Sequence, residues 1–137
     1  MERSWFEYFV KAQPHHTDYA GIVWHGTYLT WMEAARVEAL AALGIEFADL
    51  VAMGCNLPVV DMAIRYHRPL RMGERAVVKC RLGERSGVRL PFDYEIYEVE
   101  SNTLLITACV VLVPTDMEKG KVLRRLPERM QRALERL

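Results

Sequence analysis

Residues 3–13 alternate in character, with Phe6, Tyr8 and Val10 on one face and Trp5, Glu7 and Phe9 on the other. A period of two is a strand signal, and Pro14 ends it. From residue 26 to residue 43 the period lengthens. Tyr28, Trp31, Met32, Ala35, Ala39, Ala42 and Leu43 recur at steps of three and four, the single apolar stripe of an amphipathic helix. Alanines toward its C-terminal end allow a sheet to approach closely. Gly44 stands where a C-cap glycine belongs, and residues 46–53 read as a second short helix that stops at Gly54.

The second half reads as four strands. Residues 57–67 place Val60, Met62, Ile64 and Tyr66 together, and Pro69 and Gly73 mark a turn. Residues 75–84 align Ala76, Val78, Cys80 and Leu82. After a turn bracketed by Gly83 and Gly87, residues 89–99 set Leu90, Phe92, Tyr94 and Ile96 against Asp93, Glu95 and Tyr97. Residues 103–113 are apolar on both faces, which predicts a strand covered on both sides. Leu126 to Leu137 reads as a short helix after Pro127. No repeat or linker interrupts residues 1–137, so one domain is expected. A strand, a long helix and four strands in a row predict an α+β fold with a largely antiparallel sheet. One helix covers only one face of five strands, so a second copy of the chain is the expected partner.

Composition narrows the function classes. Eighteen basic and 18 acidic residues cancel, leaving no global pull toward nucleic acid. No apolar run reaches the ~18 residues of a membrane span. The opening Met-Glu-Arg-Ser-Trp lacks a basic-then-apolar export signal, which predicts a cytoplasmic protein. Cys55, Cys80 and Cys109 have no metal-ligand spacing and read as free thiols of a reducing compartment.

The chemistry concentrates in residues 15–28. Asp18 lies in a glycine-containing loop, where an Asp often only bonds nearby amides. It is too far ahead of the helix to cap it, however. The apolar Ala20-Gly21-Ile22-Val23-Trp24 run predicts a packed loop. The helix start at His25 and Gly26 offers unpaired N–H groups and the positive end of the dipole, which can hold a developing oxyanion. An acid facing such donors across a carbonyl suits thioester hydrolysis, with Asp18 either activating water or attacking directly. Trp24, Tyr28 and Val60 are candidate walls for an acyl group, although core packing is the simpler role for Tyr28 and Trp31. Arg85 and Arg89 flank a turn and suit either phosphate contact or solvation. Arg65 and Arg68 are weaker candidates of the same kind. Arg124, Arg125, Arg129 and Arg132 read as a solvated tail, and His67 as a strand-end surface residue. His15 and His16 with Asp18 match no strong metal motif. Glu33 and Arg36 can pair along the helix.

The segment Asp18-Tyr19-Ala20-Gly21-Ile22-Val23-Trp24-His25-Gly26-Thr27-Tyr28, followed by Trp31 and Glu-Ala-Ala-Arg-Val-Glu at 33–38, resembles the signature of hot-dog-fold acyl-CoA thioesterases. More narrowly it resembles their 4-hydroxybenzoyl-CoA thioesterase-like branch. The likeness continues through Leu57-Pro58-Val59-Val60, Ile64-Arg65-Tyr66 with Pro69, Gly73-Glu74 and Phe92-Asp93-Tyr94-Glu95-Ile96. It implies a long central helix wrapped by a five-stranded sheet, dimers joined sheet edge to sheet edge and often paired into tetramers, and active sites at the dimer interface. It implies Asp18 as the catalytic carboxylate and the His25 N–H as the group that polarises the thioester carbonyl. Basic residues around Arg85 and Arg89 would meet the phosphates of coenzyme A, often across the interface. Glu33 could instead be catalytic in a related branch that uses a helix acid, but Asp18 already matches its own branch. No metal or organic cofactor is implied, coenzyme A being part of the substrate. The aromatic neighbourhood favours an aromatic or short-to-medium acyl group, 1,4-dihydroxy-2-naphthoyl-CoA being one substrate that members hydrolyse. A dehydratase of hydroxyacyl thioesters and a non-catalytic thioester-binding module are the alternatives.

Overall fold

A computed structural model describes residues 4–136. Strand β1 (Phe6–Lys11) leads through a 3-10 turn at Pro14–His16 to helix α1 (Thr27–Ala42) and the short α2 (Phe47–Ala52). The chain continues through β2 (Cys55–Asn56), β3 (Val59–Tyr66), β4 (Arg75–Leu82), β5 (Leu90–Glu98), β6 (Leu104–Leu112) and β7 (Thr115–Asp116) to helix α3 (Glu128–Glu135). Five strands form an antiparallel sheet in the order β1-β4-β5-β6-β3. This is the α+β architecture expected, with α1 packed on β4 and β1. The alternating faces of β4 and β5 are buried as read: Ala76, Val78, Cys80 and Leu82 beside Leu90, Phe92, Tyr94 and Ile96.

Helix α1 buries Tyr28, Trp31, Met32, Ala35 and Leu40, but also Arg36, while Ala42 is exposed. Arg36 is accommodated by donating from Nη1 to the buried Tyr94 hydroxyl at 3.1 Å. Its distance to Glu33 is 3.9 Å, so the expected helical pair exists but is the weaker contact. Gly44 ends α1 at φ +85°, its amide donating to the Ala41 carbonyl, a left-handed turn natural to glycine.

Three expectations change. Strand β3 presents Val60, Met62 and Tyr66 to solvent, with only Ile64 of that face partly buried. It is a sheet edge, and α1 lies over the opposite half of the sheet. Strand β6 is less completely covered than expected: along the alternation Leu105, Thr107, Cys109 and Val111, Leu105 is buried and the other three are half-buried. The C-terminal segment is not a wholly solvated tail. Met130, Ala133 and Leu134 of α3 are buried, Arg129 bonds Asp49 at 3.0 Å and the Gly44 carbonyl at 3.2 Å, and Arg136 bonds the Leu43 carbonyl. The β2–β7 ladder pairs Cys55 with Asp116; two-residue strands carry no periodicity to read.

Candidate active site

The loop between β1 and α1 folds around Asp18. Its Oδ1 accepts the amides of Ala20 (2.9 Å) and Ile22 (3.4 Å), its carbonyl accepts the Gly21 amide (3.0 Å), and its own amide donates to the Ile22 carbonyl. Gly21 closes this turn at φ +76°. Among the described residues the second carboxylate oxygen, Oδ2, has no hydrogen bond. The packed loop expected from the Ala20–Trp24 run is only partly found. Val23 is buried, but Asp18, Tyr19 and Ala20 are exposed and Trp24 is half-exposed. In a single chain nothing covers the tip of the turn, so the acid faces solvent.

Both ends of the loop are tied down. The His16 carbonyl accepts the Trp24 amide and the Thr27 hydroxyl, each at 2.9 Å. The Val23 amide donates to Leu70 and the Met72 amide to Gly21, joining the loop to the β3–β4 connection. The His16 imidazole accepts the Gln13 amide at Nδ1 (2.9 Å) and meets Trp31 edge-on at 5.2 Å. Burial and the neighbouring His15 hold its pKa below the usual histidine value.

At the start of α1 the N-cap residue is Gly26, which has no side chain to cap the helix. The Thr27 amide donates back to the Trp24 carbonyl, whereas the amides of His25 and Gly26 have no acceptor among the described residues. The Trp24 indole lies over Gly26 so closely that a Cβ there would fall 2.2 Å from the ring. Beside this helix start is a cleft of about 240 Å3 lined by Ile22, Val23, His25, Tyr28, Tyr66, His67, Arg68 and Pro69. The Tyr28 hydroxyl accepts the Leu70 amide at 3.2 Å, and the Tyr66 hydroxyl donates to the His25 carbonyl at 2.9 Å. Burial raises the pKa of both phenols.

Asp18, Trp24, His25, Gly26 and Tyr28 are thus gathered on one loop and helix start. Val60, Arg85 and Arg89 are not with them. By register, Val59 sits beside Leu112 and Leu90, whereas Tyr66 sits beside Ile106 and Ile96. Val60 and the β4–β5 turn therefore occupy the end of the sheet away from Tyr66 and His25. Tyr66 and Arg68 line the cleft, and the alternation of residues 57–67 had marked Tyr66 only as one residue of a strand face. Its reach to His25 crosses 41 positions of sequence, which no local pattern reports. His67 is exposed at the strand end and bonds Thr107 at 2.9 Å. Among the described residues no group of three His, Cys, Asp or Glu could hold a metal, and no helix is long and apolar enough to cross a membrane.

Comparison with known proteins bears on the family and the fold. A profile of the Thioesterase-like superfamily matches residues 12–134. The sll0410 protein of Synechocystis sp., which carries an esterase name, is 52% identical over 137 residues, covering 100% of this chain and 82% of its own. The acyl-CoA thioester hydrolase YbgC of Escherichia coli is 30% identical over 128 residues, covering 93% of this chain and 94% of its own. The crystal structure of Slr0204, a 1,4-dihydroxy-2-naphthoyl-CoA thioesterase from Synechocystis, superposes with a TM-score of 0.88 at 27% identity over 98% of both chains. With the profile and the structural likeness in agreement, the chain belongs to the Thioesterase-like superfamily and has the hot-dog fold.

Proposed function

We propose that the protein hydrolyses an acyl-CoA thioester to a carboxylic acid and free coenzyme A in the cytoplasm, without metal or organic cofactor. The observation that carries this reading is one tied loop whose Asp18 Oδ2 and whose His25 and Gly26 amides have no hydrogen-bond partner among the described residues. The thioester oxygen is received by those amides, where the helix dipole adds its positive end. Asp18 takes a proton from water as the water oxygen bonds to the carbonyl carbon. The carbon–sulfur bond then breaks, and the proton passes to the departing thiolate. Direct attack by Asp18, through an anhydride opened by water, gives the same products.

The exposed acid needs a cover, and a second copy supplies it. Pairing of β3 with its own copy about a two-fold axis is antiparallel by symmetry. It brings Val60, Arg85 and Arg89 of the partner subunit toward the Tyr66 end of the first. Val60 then closes the acyl pocket with Trp24 and Tyr28, and the two arginines suit the phosphates of coenzyme A. Two such dimers can pair into a tetramer. The aromatic lining favours an aromatic or short-to-medium acyl group.

The test is a panel of acyl-CoA thioesters assayed by thiol release. Asp18→Asn is expected to keep the fold and lower kcat by roughly 100-fold or more. Turnover near that of the parent in this variant would remove Asp18 from the chemistry. An enoyl thioester formed without thiol release would make the protein a dehydratase instead.

A further inference from the structure

We propose that Tyr66 is a positioning residue of the thioester site, its hydroxyl setting the aim and the donor strength of the Gly26 amide. This rests on the oxyanion role proposed for that amide. The His25 carbonyl and the Gly26 N–H are the two ends of one peptide group. The Tyr66 hydroxyl donates to that carbonyl at 2.9 Å, and among the described residues the carbonyl has no other donor. Because the group is planar, holding the oxygen fixes the direction of the N–H. A hydrogen bond at the oxygen also polarises the group and makes the N–H a stronger donor.

A purely structural reading, in which Tyr66 only anchors the loop, fits less well. The loop is already held by the Trp24 amide and Thr27 hydroxyl on His16, by Val23 on Leu70 and by Met72 on Gly21. What the phenol adds falls on the one peptide that carries the Gly26 N–H, which like the His25 N–H has no acceptor among the described residues. Its ring is itself set by Tyr28, edge-on at 5.8 Å, which is held by the Leu70 amide. Burial raises the phenol pKa, so the hydroxyl stays protonated and can donate across the neutral range.

The experiment uses benzoyl-CoA, with Tyr66→Phe compared with the parent and with Asp18→Asn. Tyr66→Phe keeps the ring and is expected to lower kcat about 10-fold with KM unchanged, since a bond felt in the transition state moves kcat. A second readout is independent of turnover. Benzoyl-CoA labelled with 13C at its carbonyl is bound to Asp18→Asn, and its infrared stretch is recorded with and without Tyr66→Phe. The stretch is expected to rise when the hydroxyl is lost. Replacing Tyr66 by 3-fluorotyrosine, a stronger donor of nearly the same shape, is expected to lower it. An unchanged kcat with an unchanged stretch overturns the proposal, as does a rise in KM alone. Asp18→Asn that hydrolyses benzoyl-CoA at the parental rate overturns the proposed function itself, whatever Tyr66→Phe does.

Discussion

At the residue scale, His16 shows how a side chain next to an acid can matter without touching the reaction. Its neutral ring accepts the Gln13 amide at Nδ1, and its carbonyl holds both Trp24 and Thr27. Protonation would turn that acceptor into a donor facing a donor. Burial first, and His15 second, place its folded pKa below the ordinary 6.5. The unfolded chain therefore takes up the proton first as pH falls. The stability from neutral His16 is complete above that ordinary value and is lost as pH drops through the lower folded one. Thermal melts between about pH 7 and about pH 5 are expected to show the parent losing more melting temperature than His16→Asn, whose amide oxygen accepts without titrating. Equal losses in the two proteins would contradict this. Cys80 shows the opposite condition: burial pushes its thiol up to about 12, so it stays a packing residue. The acid itself was legible, because Asp18 precedes a helix start at a spacing that matches the family. The His16 contacts were not, since a carbonyl bond to a hydroxyl 11 positions away leaves no trace in a pattern of apolar residues.

At the scale of elements, helix α3 decides how the far end of α1 is finished. Arg129 and Arg136 cap the carbonyls of Gly44 and Leu43, where a helix C-terminus favours positive charge. A hollow of about 660 Å3 there is rimmed by Arg129, Arg132 and Arg136. It records the docking of α3 and lies at the other end of α1 from Asp18. Met130, fully buried, is the anchor. Met130→Ala is expected to destabilise the protein by about 2–5 kcal/mol, read from the midpoint of denaturant unfolding. An unchanged midpoint would mean that α3 is not part of the cooperative fold. The helical period of α1 and the alternation of β4 and β5 were readable because each has one continuous apolar face. The burial of Arg36 was not readable, because it depends on Tyr94 standing across the core, 58 positions away.

At the scale of the whole molecule, the open outer edge of strand β3 is the feature that a single chain leaves unfinished. Val59, Val60, Met62 and Tyr66 are each between 44% and 49% exposed, large apolar side chains on an edge strand that also carries Asp61 and Arg65; folded proteins cover or charge such edges. Met62→Lys places a charge in that row and is expected to convert a sedimenting dimer or tetramer into a monomer. Thiol release should fall at least about 10-fold with it, if closure by the partner positions the substrate as such contacts do. Unaltered far-ultraviolet circular dichroism would show that the subunit still folds. A parent protein that sediments as a monomer with full activity would refute the shared site.

The amino-acid sequence alone determined the order of the longer elements, the antiparallel α+β class, the faces of β4 and β5 and the place of Asp18 before a helix start. These follow from local periodicity, turn residues and spacing, which are properties of neighbours along the chain. Only the tertiary structure decided that Asp18 is exposed in its own turn and that Tyr66 reaches the His25 carbonyl. It alone separated Val60, Arg85 and Arg89 from the acid by the length of a strand. Those facts depend on strand order and register, which join residues far apart in sequence, and so they become fixed only when the sheet closes over its helix.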